Sequence, residues 1–429
     1  MSQQLHKTVI LMRQQPRMPR INARCPMPSP LPAHSTIRRW ATCIMLTLVL
    51  FSTMEAQAQR RSEYEYYMDI PVYIDSIQQS LTYPLAFRNC MNDMSFEQWR
   101  TTARQKVMEC MGTLLPRPAQ WNMEVLAREQ RKGYEAQLIA FNLSRWYRVK
   151  AYLLIPSGKG KKPAVNLLHD HGGHFFIGKE KMIRPILKSP ENPLGADSAV
   201  LADADKWAKG LYENQYLGDY LAQAGYVVFS IDAPLWGERG RKEGADRNKY
   251  DIIAGNMMML GQDLCAYMHH DDVVSTDFLA SLPCVDSTRI GCAGCSMGAY
   301  RAWMLMALTD KVRAGAAICW MTTTDAQLTT RYGRRENGGF ANCIPALRNY
   351  LDYPDIASIA APKAMLFVNG KRDKLFKIPG VEKAYAEMHE VWDNQRAGDR
   401  LVTKLEDQPH ECNLHNQKDI LDFLNKWLH

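Results

Sequence analysis

Seven short apolar runs separated by helix-forming stretches constrain the fold of this chain more than any other feature. From about residue 146 onward the runs are VKAYLLIP, AVNLLHD, YVVFSID, RIGCAG, AGAAICW, KAMLFVN and RLVTKLE. Between and after them lie YLGDYLAQAG, DLCAYMHHDDVVSTDFLASL, AYRAWMLMALTD, GVEKAYAEMHEVW and QKDILDFLNKWLH. A strand that is apolar at nearly every residue has both faces buried, as in a mostly parallel α/β sheet with helices on both sides. In such sheets ligands collect at the carboxyl ends of the strands. The residues just past each run are therefore the candidates for chemistry. With 46% hydrophobic residues in 429, the chain has the apolar content for one large core.

Three segments are expected: a leader over 1–58, an N-terminal accessory segment over 59–140, and a catalytic domain over 141–429. The leader has the anatomy of an export signal, with IRRW as its positive region and ATCIMLTLVLFSTM as an apolar run too short to span a membrane comfortably. Ala56-Gln57-Ala58 fits a small-x-small cleavage rule, which puts the mature start near Gln59 and leaves no membrane anchor. The product is expected in a bacterial periplasm or outside the cell. In the accessory segment, SFEQWRTTARQKVMECMGTLLP reads as a helix, with Ser95 and Gln98 as a capping box and Pro116 as its stop.

Charge and cysteine content narrow the class further. The net charge of +8 is concentrated in the leader, where seven Lys/Arg face a single acid. The rest holds 46 basic and 44 acidic residues, and a net +2 without a basic run argues against a nucleic-acid partner. Nine of the eleven cysteines lie beyond residue 58, scattered, with Cys292 and Cys295 as the one C-x-x-C. This is no disulfide framework; buried thiols with one or two bridges are expected.

The run RIGCAG leads into Gly294-Cys295-Ser296-Met297-Gly298 and then a helical stretch. Strand, tight turn and helix is the context that G-x-S-x-G needs to present a nucleophilic serine. A helix N-terminus there favours developing negative charge. A serine needs a base, and the base needs an orienting acid. Asp373 follows KAMLFVN in Gly370-Lys371-Arg372-Asp373, and His410 follows RLVTKLE in Asp407-Gln408-Pro409-His410. Ser296, Asp373 and His410 thus appear in the order serine, acid, histidine, each just past a strand.

HDHGGH, residues His169 to His174, admits two readings. Three histidines and an aspartate suggest a metal site, but no second ligand motif follows elsewhere. His269-His270 sits beside Asp271-Asp272 in a helical stretch with no partner motif. The other reading is an oxyanion loop, in which glycine lets the backbone approach the substrate. The backbone of Met297 and of Gly172, Gly173 or His174 would then supply the donors, with no metal and no cofactor. This second reading is the expectation.

With these motifs in place the chain resembles the α/β-hydrolases, over roughly residues 140–429. It is most similar to their secreted bacterial dienelactone-hydrolase-like and acetyl-xylan-esterase-like branch. HDHGGHFFIGKEKM, DAPLWGERG and YPDIASIAAPKAMLFVNGKRDKLF carry the likeness. The resemblance implies carboxylic ester hydrolysis, often of acetyl groups on plant polysaccharides, by a Ser296–Asp373–His410 triad without cofactor. GCS also resembles glucuronoyl esterases, which have arginine where Met297 stands. Dienelactone hydrolases proper use cysteine where Ser296 stands. Two insertions, 177–216 and 321–352, are candidates for specificity: the first holds Trp207, Tyr212 and Tyr216, the second Arg331, Tyr332, Arg334 and Arg335. Trp236, in the loop after YVVFSID, is placed similarly. The alternatives are a serine peptidase of the prolyl-oligopeptidase kind, which would need a repeat-built propeller, and a catalytically silent carbohydrate-binding protein.

Overall fold

A computed structural model describes residues 76–240, 246–328 and 339–429. The expected leader, and Arg331, Tyr332, Arg334 and Arg335, lie outside the described residues. All seven expected strands form, as β3 (Arg148–Pro156), β4 (Lys162–Leu168), β5 (Val227–Ile231), β6 (Val285–Cys295), β7 (Val312–Ile318), β8 (Ala364–Gly370) and β9 (Leu401–Glu406). Two more precede them, β1 (Glu124–Arg131) and β2 (Tyr134–Asn142). The sheet order is β1-β2-β3-β5-β4-β6-β7-β8-β9. β1, β2 and β3 pair antiparallel, β3 runs antiparallel to β5, and the pairs from β5 to β9 are parallel.

The longer helices are α1 (Phe96–Cys110), α2 (Ser198–Leu211), α3 (Leu217–Gln223), α4 (Arg247–Met259), α5 (Leu264–Ser281), α6 (Met297–Leu308), α7 (Tyr353–Ser358), α8 (Ile378–Asn394) and α9 (Leu414–Leu428). They cover both faces of the sheet. On β8, Met365 and Phe367 enter the core shared with α5, α6 and α8, while Leu366 and Val368 enter the core shared with α3 and α9. β3 alternates in the same way, Ala151 and Leu153 one way, Tyr152 and Leu154 the other. Successive strand residues point to opposite faces, so double coverage is why these runs are apolar throughout.

Residues ahead of 141 depart from a purely helical accessory segment. α1 has the expected capping box, Ser95 accepting from the Gln98 amide while the Gln98 side chain accepts from Ser95 N. It ends at Cys110, with Gly112 left-handed at φ 73°, so the stop is a glycine rather than Pro116. Trp99, Ala103 and Val107 are fully buried in the main core. Residues 124–140 then join the sheet itself. β1 reads EVLAREQR with one buried residue; as the charged edge strand that blunts edge-to-edge association, it has no apolar pattern to announce it.

Candidate active site

Ser296 follows β6 directly and precedes the first residue of α6, with φ 55° and ψ −124°. This backbone region is costly for any residue with a Cβ, and it turns the chain sharply from strand to helix. The flanking glycines are dictated by contact. A Cβ on Gly294 would lie 2.4 Å from backbone atoms of Gly298, and one on Gly298 would lie 1.8 Å from the Leu168 carbonyl oxygen. Gly298→Ala is therefore expected to cost about 3 kcal/mol or to prevent folding, because backbone rather than a movable side chain is in the way. Thermal unfolding and soluble yield test this; an unchanged Tm would mean that α6 is not pressed against the end of β4.

The Ser296 side chain does not cap α6 and has no hydrogen-bond partner among the described residues. Its amide donates to Ile318 O at 2.8 Å, tying it to the end of β7. The next residue on that strand end, Cys319, has its Sγ within 4.8 Å of both an Asp373 carboxylate oxygen and a His410 ring nitrogen. The ends of β6, β7, β8 and β9 thus gather the three residues at one edge of the sheet.

Asp373 and His410 are directly bonded, Nδ1 to Oδ2 at 2.6 Å. The Asp373 side chain is fully buried and its Oδ1 also accepts from the Leu375 amide at 2.8 Å. The His410 ring lies nearly parallel to Phe376, centroids 6.1 Å apart. Burial pulls the imidazole pKa down, but the Asp373 hydrogen bond and charge outweigh it and hold it at about 9. A histidine held by a buried carboxylate through Nδ1 presents Nε2 as its working atom. Ser296 Oγ makes no bond to it here; such pairs commonly tighten only with substrate present.

The HDHGGH loop leaves β4 at the same edge. Gly172 and Gly173 are both left-handed, at φ 58° and 64°. The Gly173 amide donates to His171 Nδ1 at 2.9 Å and the His174 amide to His171 O at 3.3 Å. Of the three loop amides expected as oxyanion donors, Gly173 and His174 are thus engaged and Gly172 has no acceptor among the described residues. The Met297 amide opens α6 and has no intrahelical acceptor either. The histidines are engaged in holding the loop. His169 Nδ1 bonds Asp170 O while its Nε2 accepts from the Ala233 amide, and His174 Nε2 pairs with Asp203. Burial and the Arg301 charge push the His169 pKa well down, which keeps it a neutral, structural ring.

Several other candidates find structural roles. Trp236 is 1% exposed and donates to His171 O at 3.2 Å, so it packs the site from behind instead of stacking on a substrate. Tyr212 is buried with its hydroxyl on Asp170, Trp207 lies parallel to the His174 ring, and the Tyr216 hydroxyl bonds Asp205. Asp272 forms a buried pair with Arg301 at 2.6 Å, while Asp271 takes Arg239 at 2.8 Å and the Tyr147 hydroxyl at 2.7 Å. Glu180, Asp232 and Glu238 cluster closely around the Lys179 ammonium, 2.9 Å from each, and Glu238 also takes Lys150 at 2.7 Å. That knot ties the segment after HDHGGH to the loop after β5. No disulfide joins any two of the nine described cysteines, so the expected one or two bridges are not found among them. Two contributors were missed in the sequence: Cys319, at φ 61° past the end of β7, and Asp170. The strand-end position was the available signal for both.

An antiparallel start, a parallel β5–β9 core and a strained serine between strand and helix define the α/β-hydrolase fold. The sequence model of the Abhydrolase family matches residues 54–412, and the chain belongs to that family. A Bacillus subtilis (strain 168) protein assigned as the hydrolase YtaP is 26% identical, over 77% of this chain and 100% of its own. Among solved structures, a Bacteroides fragilis NCTC 9343 protein assigned as an acetyl xylan esterase superposes with a TM-score of 0.61 at 18% identity, covering 78% of this chain and 81% of that one. A glucuronoyl esterase from Solibacter usitatus gives a TM-score of 0.54 at 14% identity, covering 77% and 93%. At those identities the structures speak to the fold.

Proposed function

We propose that the protein is an exported serine esterase that hydrolyses an acyl ester, an acetyl group on a saccharide being the favoured substrate. The observation that carries this reading is the 2.6 Å Asp373–His410 pair at the strand-end edge that also bears the strained Ser296. His410, oriented by Asp373, takes the Ser296 proton as Oγ attacks the ester carbonyl. The Met297 and Gly172 amides receive the oxyanion. Collapse expels the alcohol with the proton returned by His410, and a water activated by the same ring then releases the acid. No step calls on a metal or cofactor.

The saccharide preference is supported by the structural relatives, which are assigned to acetyl xylan and glucuronoyl esters. Met297 stands where the glucuronoyl-esterase pattern has arginine, which favours the acetyl reading. A peptidase of the propeller-bearing kind is disfavoured, because residues 76–142 form helices and two strands of the same sheet. Among the described residues no helix is long and apolar enough to cross a membrane. Export rests on the leader's composition.

The chain without its leader is expected to hydrolyse p-nitrophenyl acetate at an EDTA-insensitive rate and to release acetate from acetylated xylan oligosaccharides. Loss of activity to EDTA would defeat the metal-free mechanism. Activity on methyl uronate esters but not acetyl esters would move the substrate to the other branch.

A further inference from the structure

Helix α2 lies in the insertion whose composition suggests a specificity element, yet its side chains turn toward the HDHGGH loop. Asp203 and Trp207 are four residues apart and so share a helix face. Asp203 pairs with His174 Nε2. The Trp207 indole lies parallel to the His174 ring, 9° between planes and 5.2 Å between centroids. Its Nε1 donates to Asp170 Oδ2 at 3.1 Å. The far edge of the indole occupies the space beside Gly172, where a Cβ would fall 2.2 Å from Trp207 Cη2. Lys181 Nζ also packs against the indole, 4.6 Å from its centroid.

Asp170 is the hub of this arrangement. Fully buried, it accepts from Trp207, from the Tyr212 hydroxyl at 3.0 Å and from Lys181 Nζ at 3.3 Å. Lys181 also donates to the Asp170 and His171 carbonyl oxygens, both at 3.0 Å. A buried polar network whose members are hydrogen-bonded rigidifies the segments it joins. What is fixed here is the backbone on either side of the Gly172 amide, across two consecutive left-handed glycines that would otherwise be the freest residues in the loop.

We infer that Asp170 and Trp207 are positioning residues: α2 clamps the oxyanion loop and aims the Gly172 amide at the developing oxyanion. The inference rests on the serine-esterase reading above. An amide held in place before reaction stabilises the transition state without reorganisation, whereas a loose one loses that advantage and leaves ground-state binding intact. The clamp therefore acts on kcat and not on KM.

The test uses the full chain without its leader, with p-nitrophenyl acetate as substrate and phenylboronic acid as probe. Boron accepts Ser296 Oγ, the serine proton passes to His410, and the resulting tetrahedral boronate carries its negative charge toward the oxyanion donors. Trp207→Ala is expected to lower kcat on the order of 10²-fold with KM within about threefold, and to weaken boronate inhibition by a similar factor. Trp207→Phe keeps an aromatic ring on this face of α2 but loses both the bond to Asp170 and the far edge of the indole beside Gly172, and should show a several-fold loss in kcat and in boronate affinity alike. If the alanine variant does not fold, the phenylalanine variant decides. A folded variant with wild-type kcat, or one in which KM alone rises, overturns the inference; the latter would make Trp207 a substrate contact. Ser296→Ala run alongside separates the two claims, since activity surviving there sinks the serine mechanism whatever Trp207 does.

Discussion

Replacing Ser296 with alanine is expected to lower hydrolysis of p-nitrophenyl acetate by at least about 10³-fold while leaving the Tm within about a degree. The hydroxyl makes no bond that the fold depends on: it neither caps α6 nor meets a partner among the described residues. Alanine inherits the same strained backbone, φ 55°, so the fold has nothing new to bear. Glycine would relieve that strain. Ser296→Gly should be equally inactive yet more stable, by about 1 kcal/mol after the extra unfolded-state entropy of glycine is subtracted. An inactive, unshifted alanine variant beside an inactive, stabilised glycine variant would identify a serine held in a poor conformation for chemical reasons. Alanine retaining a tenth or more of the activity would remove Ser296 as nucleophile.

The second large effect concerns pH. His410 must be neutral to accept the serine proton, and its pKa is held at about 9 by the Asp373 bond and charge against burial. kcat/KM should therefore climb through neutral pH and level off only above about 9, with about one per cent of the free enzyme in its reactive form at pH 7. Asp373→Asn removes the carboxylate and leaves burial as the ruling influence. The limb should then move below pH 7 while the plateau falls by about 10⁴-fold, as the ring loses both its orientation and its counter-charge. A pH–rate profile of the two proteins checks both. A wild-type limb that does not move in the variant would mean that Asp373 is not the orienting acid.

The same pair links stability to pH. The folded pKa lies above the ordinary 6.5 of an unfolded histidine, so the native state binds this proton more tightly. That contribution is fully present below about pH 6.5 and is lost as pH rises toward 9. Activity and stability thus move in opposite directions across this window. The Asp373→Asn variant should lack this part of the stability slope.

Much of the architecture was legible because the signals that reveal it are local. Burial on both faces leaves a run such as AMLFV apolar at every residue, and each of the seven runs became a strand. The capping box of Ser95 and Gln98 is contained in four residues. Gly294 and Gly298 flank Ser296 because two backbones cross there, and five consecutive residues are enough to display that spacing. The order Ser296, Asp373, His410 could be read from strand ends alone. Their meeting at one edge is a matter of sheet order, and it was the β6-β7-β8-β9 pairing that brought the strand ends together.

What only the tertiary structure decided is what packs against what. The charged edge strand β1 is invisible to a search for apolar pattern, because an edge carries charge to avoid association. Trp236, Trp207 and Tyr212 have the composition of a sugar-binding surface, but distant contacts with His171, His174 and Asp170 turn each of them inward. The three amides offered by Gly172, Gly173 and His174 are equivalent in sequence. They differ in the structure because the folded His171 takes up two of them. Residue type and spacing determined the strands, the turn at Ser296 and the candidate acid and base. Burial and hydrogen-bond partners, which depend on residues tens of positions away, decided which of the candidate side chains stay at the candidate site and which hold the loop in place.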